Sequence, residues 1–176
     1  MMNTPQRGYT LIELTIAVGV FALVMMLASG AYLVMISLSR QAQGVATGIN
    51  NLSFAIETMT RDIRTGSNYC GAGAACSLSS FTFTDRSGQI VTYALGTQQG
   101  ADGLVGDITK NNIPLTDPSV DVQSLAFYTY GTPAAPIDYE QSRVTMSVSG
   151  TVSVGAGKAP QTFTVETGAT MRGPDI

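Results

Sequence analysis

The sequence predicts an α+β protein. A long N-terminal helix, transmembrane at first and amphipathic further on, packs on an antiparallel β-sheet. Three observations carry that reading. The chain is uncharged from Leu14 to Ser39. From Val45 to Ile63 apolar residues recur at helical spacing, and beyond Cys76 the apolar period falls from 3.6 residues to 2. With 176 residues the chain is long enough for one membrane anchor and one domain with a core of its own.

The uncharged run comes first. At about 1.5 Å per residue it extends roughly 39 Å as a helix, enough to cross a hydrocarbon core of about 30 Å with some tilt. It is longer than the apolar region of a secretory signal, roughly 7 to 15 residues, and no small-x-small cleavage site with a polar exit follows it cleanly. The span is therefore expected to stay in the mature protein. Arg7 precedes it and Arg40 follows it, so the positive-inside rule does not orient it. Glu13 stands just inside its start. A charge at the centre of a membrane helix costs roughly 2.5 to 3.5 kcal/mol, which makes an ionisable group at the edge of a span a functional-site hypothesis in need of a partner.

The helical pattern continues past Arg40 in a new form. Val45, Ile49, Leu52, Ile56, Met59 and Ile63 draw one apolar stripe, with polar residues on the other face. Arg61 and Arg64 fall in the last turn, and Gly66 is placed to act as a left-handed cap. One helix from about Thr10 to about Thr65 follows, roughly 80 Å long. Gly44 and Gly48 each cost about 1 kcal/mol relative to alanine and mark a point of bending or fraying. Their G-x-x-x-G spacing is also that of a helix-packing motif, although it lies outside the apolar run.

Strands come next. Phe81 and Phe83 alternate with threonines, Asp85-Arg86-Ser87-Gly88 supplies a turn, and Val91, Tyr93 and Leu95 return on one face, as in a hairpin. The segment from Gly96 to Asp121 is rich in Gly, Asp, Asn and Pro and reads as a long surface connection. Leu125 to Tyr130, Arg143 to Val154 and Gln161 to Met171 each alternate. The helix has one stripe to bury and the sheet one face, so they are expected to cover each other as two layers. No repeat of 20 to 50 residues is apparent.

Composition narrows the function. Charged residues are 12% of the chain, the net charge is -3, and His and Trp are absent. Neither a basic nucleic-acid surface nor a histidine-based active site is expected on this composition. Acidic residues beyond position 56 are scattered singly, as on a solvated surface. No G-x-S-x-G or H-E-x-x-H occurs, and Gly157-Lys158 fails as a P-loop, with Val152 where the first glycine belongs and Ala159 where Ser or Thr belongs. The reading is of a protein that is not an enzyme. Cys70 and Cys76 are too widely spaced for a C-x-x-C redox motif and lack the partners of a zinc site. A structural disulfide in the periplasm or outside the cell is the preferred reading, worth roughly 2 kcal/mol for so short a loop; two free thiols are the alternative.

Arg7-Gly8-Tyr9-Thr10-Leu11-Ile12-Glu13-Leu14 resembles the processing site of type IV prepilins and of type II secretion pseudopilins. The long helix followed by an antiparallel sheet matches the pilin layout. The segment Glu57 to Arg64 and the Thr-rich end with Met171-Arg172-Gly173 resemble the J-type and related minor pilins. The resemblance implies a prepilin leader over residues 1–8, a transmembrane and assembly helix over 9–40, and a periplasmic or extracellular globular domain over 41–176, the last built from an amphipathic helix (41–65) and the β-sheet. It implies cleavage by prepilin peptidase between Gly8 and Tyr9 and N-methylation of Tyr9, where phenylalanine is commoner in the family. A glycine before the cut presents no side chain to obstruct the peptidase. Glu13, one turn after Tyr9, would attract the new terminal ammonium of a neighbouring subunit and set the register of a helical filament; a snorkelling surface glutamate is the plainer alternative.

Further implications follow from the resemblance. Before assembly the helix is solvated by the lipid bilayer of the inner membrane, in a single-pass topology with the globular domain outside the cytoplasm. Afterwards it packs among other pilins or pseudopilins, delivered through the inner-membrane assembly platform, in a periplasmic or extracellular filament. Ala17, Gly19, Ala22, Ala28, Gly30 and Ala31 permit close helix approach. The absence of a proline near Gly30 and of a C-terminal cysteine pair favours a minor pilin or minor pseudopilin. Such a subunit serves attachment, motility, DNA uptake or protein secretion. The alternatives are a tip adhesin or secretion-substrate binding module, a major pilin, and an uncleaved single-pass anchored β-domain protein. No nucleic-acid partner and no cofactor are implied, calcium excepted: some pseudopilins bind it, and Asp102, Asp107, Asp117 and Asp121 are the candidates, against solvated loop carboxylates.

Overall fold

The computed structural model describes residues 8–71, 76–101, 103–132, 140–154 and 159–172. One helix, α1 (Leu11–Thr65), is followed by seven strands: β1 (Ser80–Thr84), β2 (Ile90–Gln99), β3 (Leu104–Lys110), β4 (Ile113–Pro114), β5 (Val120–Tyr130), β6 (Arg143–Val152) and β7 (Gln161–Thr170). This is the expected α+β class, a long N-terminal helix packed with antiparallel sheet. The chain divides into two compact units, one ending at Gln41 and the other starting at Ala42, with α1 contributing to both.

In the first unit α1 is apolar on every side, and its apolar side chains are solvent-exposed, Ile36 alone being half-buried. Three of its hydroxyls bond back to helix carbonyls. Thr15 donates to the Leu11 and Ile12 carbonyls, Ser29 to Met25 at 2.8 Å and Ser37 to Val34 at 2.8 Å. Such back-bonding suits a segment with no water to turn to.

In the second unit α1 buries Gly48, Leu52, Ala55, Met59 and Ile63. The expected stripe is present but turned. Ile49 is 48% exposed and Ile56 only partly buried, while Gly48 and Ala55 lie at the centre of the contact. Small residues win there because the sheet comes close: a Cβ on Gly48 would fall 2.2 Å from Cγ1 of Val152, and one on Gly44 3.5 Å from Cα of Val154. Gly48 thus makes room for Val152, whereas the space at Gly44 is ordinary contact distance; the helix is continuous through both.

The strands form two antiparallel sheets where one was expected, ordered β1-β2-β3-β4 and β5-β6-β7. Their adjoining edges are linked by the Phe127 amide donating to the Leu78 carbonyl at 2.8 Å and the Gly106 amide donating to Asp121 Oδ1 at 2.8 Å. At Gly106 a Cβ would lie 2.0 Å from the Val122 carbonyl oxygen, so only glycine fits. The register of β5 against β6 shifts between Val122 and Ser124, a bulge that locally bends the strand. Phe81, Phe83, Tyr93, Ile108, Phe127, Val144, Met146 and Val148 join the helix residues in one core, with stacked and edge-on ring pairs among Tyr69, Phe81, Phe83, Tyr93 and Phe127.

Two expectations are corrected. The segment Gly96 to Asp121 is not a long surface connection: β2 runs on to Gln99 and pairs with β3 from Tyr93↔Lys110 to Gln99↔Leu104. Asp107, Ile108 and Thr109 are buried in succession, so β3 is covered on both faces and lacks the alternation of a half-exposed strand. Gly66 is not a left-handed cap; positive φ occurs instead at Asn68 and Cys70. Gly66 is excluded from bearing a side chain by Phe83, whose Cδ2 would lie 2.3 Å from its Cβ. The helix end is closed by tertiary partners. The Ile63 carbonyl accepts from the Gly66 amide and the Tyr69 hydroxyl, and the Arg64 carbonyl accepts from the Arg172 amide at 2.9 Å.

Candidate functional site: the helix start and its charge

Gly8, Tyr9 and Thr10 precede the first helical residue and are exposed, Tyr9 to 85%. Thr10 is the residue on which the helix begins. Its carbonyl accepts from the Leu14 amide at 3.2 Å, and its hydroxyl accepts from the Glu13 amide at 3.3 Å. Thr10 is therefore the N-cap and Glu13 the third helical residue, the spacing of a capping box with the bond from the Glu13 amide to the Thr10 hydroxyl made. That role was readable as Thr-x-x-Glu before an apolar run, and the sequence reading missed it. Glu13 lies in the first turn, where the partial positive charge of the helix terminus favours a carboxylate. The structure so places the Gly8-Tyr9 bond in accessible, non-helical chain and Glu13 one turn beyond; Arg7 lies outside the described residues.

The other candidates are distributed through the second unit. Cys70 and Cys76 are joined, with sulfurs 2.13 Å and Cα atoms 5.2 Å apart, and both pack on the core edge beside β1, where the Cys70 amide donates to the Thr82 carbonyl at 2.9 Å. Among the acidic candidates, Asp102 lies outside the described residues. Asp117 accepts from the Ser119 amide at 2.9 Å, and Asp121 is engaged by Gly106. Asp107 is fully buried with neither carboxylate oxygen hydrogen-bonded, and that burial raises its pKa above the ordinary carboxylate range. Among the described residues no group of three or more His, Cys, Asp or Glu side chains is gathered as a metal site.

A charge cluster that the sequence did not reveal links helix to sheet. Asp62 Oδ2 accepts from Lys110 Nζ at 2.6 Å and from the Tyr93 hydroxyl at 2.7 Å. Burial, reinforced by the bond to Asp62, holds the Tyr93 hydroxyl well above the ordinary phenol range, so it stays a donor. The three residues are far apart in sequence and no local motif relates them.

The geometry is thus an exposed Gly8-Tyr9 segment, an apolar helix of membrane-spanning length with a carboxylate in its first turn, and a helix-on-sheet domain. Residues 3–29 match the family model described as the prokaryotic N-terminal methylation motif. That match supports a type IV pilin-like precursor, one whose motif implies processing by prepilin peptidase and assembly in filaments, and with the apolar helix it supports membrane anchoring. No curated protein and no solved structure matches the chain.

Proposed function

We propose that this chain is a minor pilin or minor pseudopilin, cut between Gly8 and Tyr9, N-methylated on Tyr9 and built into a helical filament through the first half of α1. The single observation that carries the reading is the helix start: a capped N-terminus at Thr10, immediately after an accessible Gly8-Tyr9 bond and one turn before Glu13, inside the segment matched by the methylation motif. The peptidase needs extended backbone at the membrane face, and Gly8 and Tyr9 lie ahead of the first helical residue.

Cleavage turns the Tyr9 amide into an ammonium with an ordinary pKa near 8, mostly cationic at neutral pH. Glu13 then provides the opposite charge. Within one chain the pair offsets the cost of a carboxylate at the membrane edge, and between chains it sets the axial register of neighbouring helices. Cys70 and Cys76 would be oxidised outside the cytoplasm, holding the turn after α1 against β1.

Intact-mass analysis of the mature chain tests processing: loss of Met1 to Gly8 and gain of one methyl group is expected, and a full-length unmodified mass rejects it. Glu13→Ala tests the role of the charge. The variant should be cleaved and inserted normally yet recovered in sheared filaments at a small fraction of the wild-type amount; equal recovery removes Glu13 from assembly.

A further inference from the structure

Four of the nine Lys and Arg residues, Arg61, Arg64, Arg86 and Arg172, gather around the end of α1 in the second unit. They line two adjoining cavities. One, of about 340 Å³, is bounded by Glu57, Thr60, Arg61, Arg64, Thr65 and Arg172; the other, of about 370 Å³, shares Arg64, Thr65 and Arg172 and adds Arg86 and Ser67. In a chain of net charge -3 this is a concentration of positive charge in one place.

Among the described residues, carboxylates do not account for it. Glu57 pairs with Arg61 at 3.0 Å, both side chains largely exposed, and Asp62 pairs with Lys110. Asp85, next to Arg86 in sequence, accepts through Oδ1 from the Ser87 hydroxyl and the Ser87 and Gln89 amides. Among the described residues Arg64, Arg86 and Arg172 form no ion pair. Nor does the helix terminus require them. Its partial charge is about half an elementary unit, and the Ile63 and Arg64 carbonyls already accept from Gly66, Tyr69 and Arg172 groups.

We propose that this arginine cluster binds the phosphate groups of a polyanionic chain. Guanidinium forks match phosphate oxygens two at a time and lose less freedom per bond than lysine would. Because Arg64 and Arg172 border both cavities, separate small anions would compete for them, whereas one ligand with charges repeated at short intervals satisfies both cavities together. No aromatic side chain lines either cavity, so there is no platform on which bases could stack. Recognition is thus of the phosphate chain and is indifferent to base sequence. The site is local, consistent with a composition too poor in cations for a broad basic surface.

The test uses the full chain in a neutral detergent and fluorescence anisotropy of labelled inorganic polyphosphate, single-stranded DNA and polyglutamate of similar length. Wild type should bind polyphosphate, DNA or both in a salt-dependent manner, the tighter of the two identifying the source of the phosphates. Arg64→Gln/Arg172→Gln should weaken binding by about tenfold or more at low salt and reduce the slope of log K against log salt by roughly 1 to 2, one contact per lost charge. Arg86→Gln, in an exposed turn where folding is not at stake, should weaken binding by a smaller factor, and Arg143→Gln, which stacks on Tyr130, should leave it unchanged. Absence of binding to both phosphate polymers, unchanged binding by the double and Arg86 variants, or equally tight binding of polyglutamate would overturn the proposal. Processing at Gly8-Tyr9 is not involved in this measurement, so its outcome is independent of the pilin reading.

Discussion

The two halves of α1 are one helix built for two solvents. Up to Gln41 its apolar residues point in every direction and, Ile36 apart, stay exposed, and the Thr15, Ser29 and Ser37 hydroxyls are returned to its own carbonyls. From Ala42 the apolar residues narrow to one stripe, which begins at Gly48 where Val152 leaves no room for a Cβ. The difference shows what amphipathicity records: where the surroundings are uniform the side chains are uniform, and where a protein layer covers one face the size of each side chain is set by its distance from that layer.

Breaking the comparison is easiest in the core. Ile63→Ala removes a fully buried side chain and should destabilise the second unit by about 2 to 5 kcal/mol, whereas Leu23→Ala, in the exposed apolar half, should change that unit's stability by under about 0.5 kcal/mol. Denaturant unfolding of the full chain in detergent, followed by tyrosine fluorescence, would show both; equal shifts would mean that the halves are not energetically distinct.

A second contrast concerns polar groups. In the first half Thr15, Ser29 and Ser37 return their hydroxyls to helix carbonyls, while the second unit buries the Asp107 carboxylate with no hydrogen bond. Because burial raises the folded-state pKa of Asp107 above its unfolded value, the folded state favours the proton, and stability is lost as pH rises from the ordinary carboxylate range through the raised value. Asp107→Asn should therefore raise the Tm at pH 7 by a few degrees, on the order of the shift expected for about 1 kcal/mol, and the advantage should vanish near pH 3. A gain that is the same at both pH values would assign it to packing instead of charge.

The smallest effect is expected at the start of the helix. Thr10→Ala removes the cap on the Glu13 amide and should cost about 1 kcal/mol locally, seen as about fivefold faster hydrogen exchange of the first-turn amides with the Tm of the second unit unmoved. Slower or unchanged exchange would show that another group caps the helix.

Legibility in the sequence followed the range of the interactions. The extent of α1, the hairpin at Phe81 to Leu95 and the last three strands were written in local periodicity. Strand β3 was not, because Gly106 and Asp107 are residues of a turn by composition and belong to a strand only through their distant pairing with Thr97 and Gly96 of β2. The Gly66 cap was misread for a related reason: glycine is needed there for the nearness of Phe83, and φ stays negative. In the candidate site Gly8, Tyr9 and Glu13 were legible as a motif, and Thr10 could have been, while the Asp62, Tyr93 and Lys110 contact joins three elements that no local pattern relates.

By itself, then, the sequence determined the helix, its change of surroundings near residue 41, the class of the fold and the processing and assembly motif, because each depends on residues within a few turns or a single strand. The tertiary structure alone decided which face of α1 is buried, that the strands divide into two sheets, how the helix end is closed, and that four arginines from three segments share one place. Those outcomes depend on how closely backbones approach and on which distant groups meet, and a linear pattern of polar and apolar residues does not encode either distance.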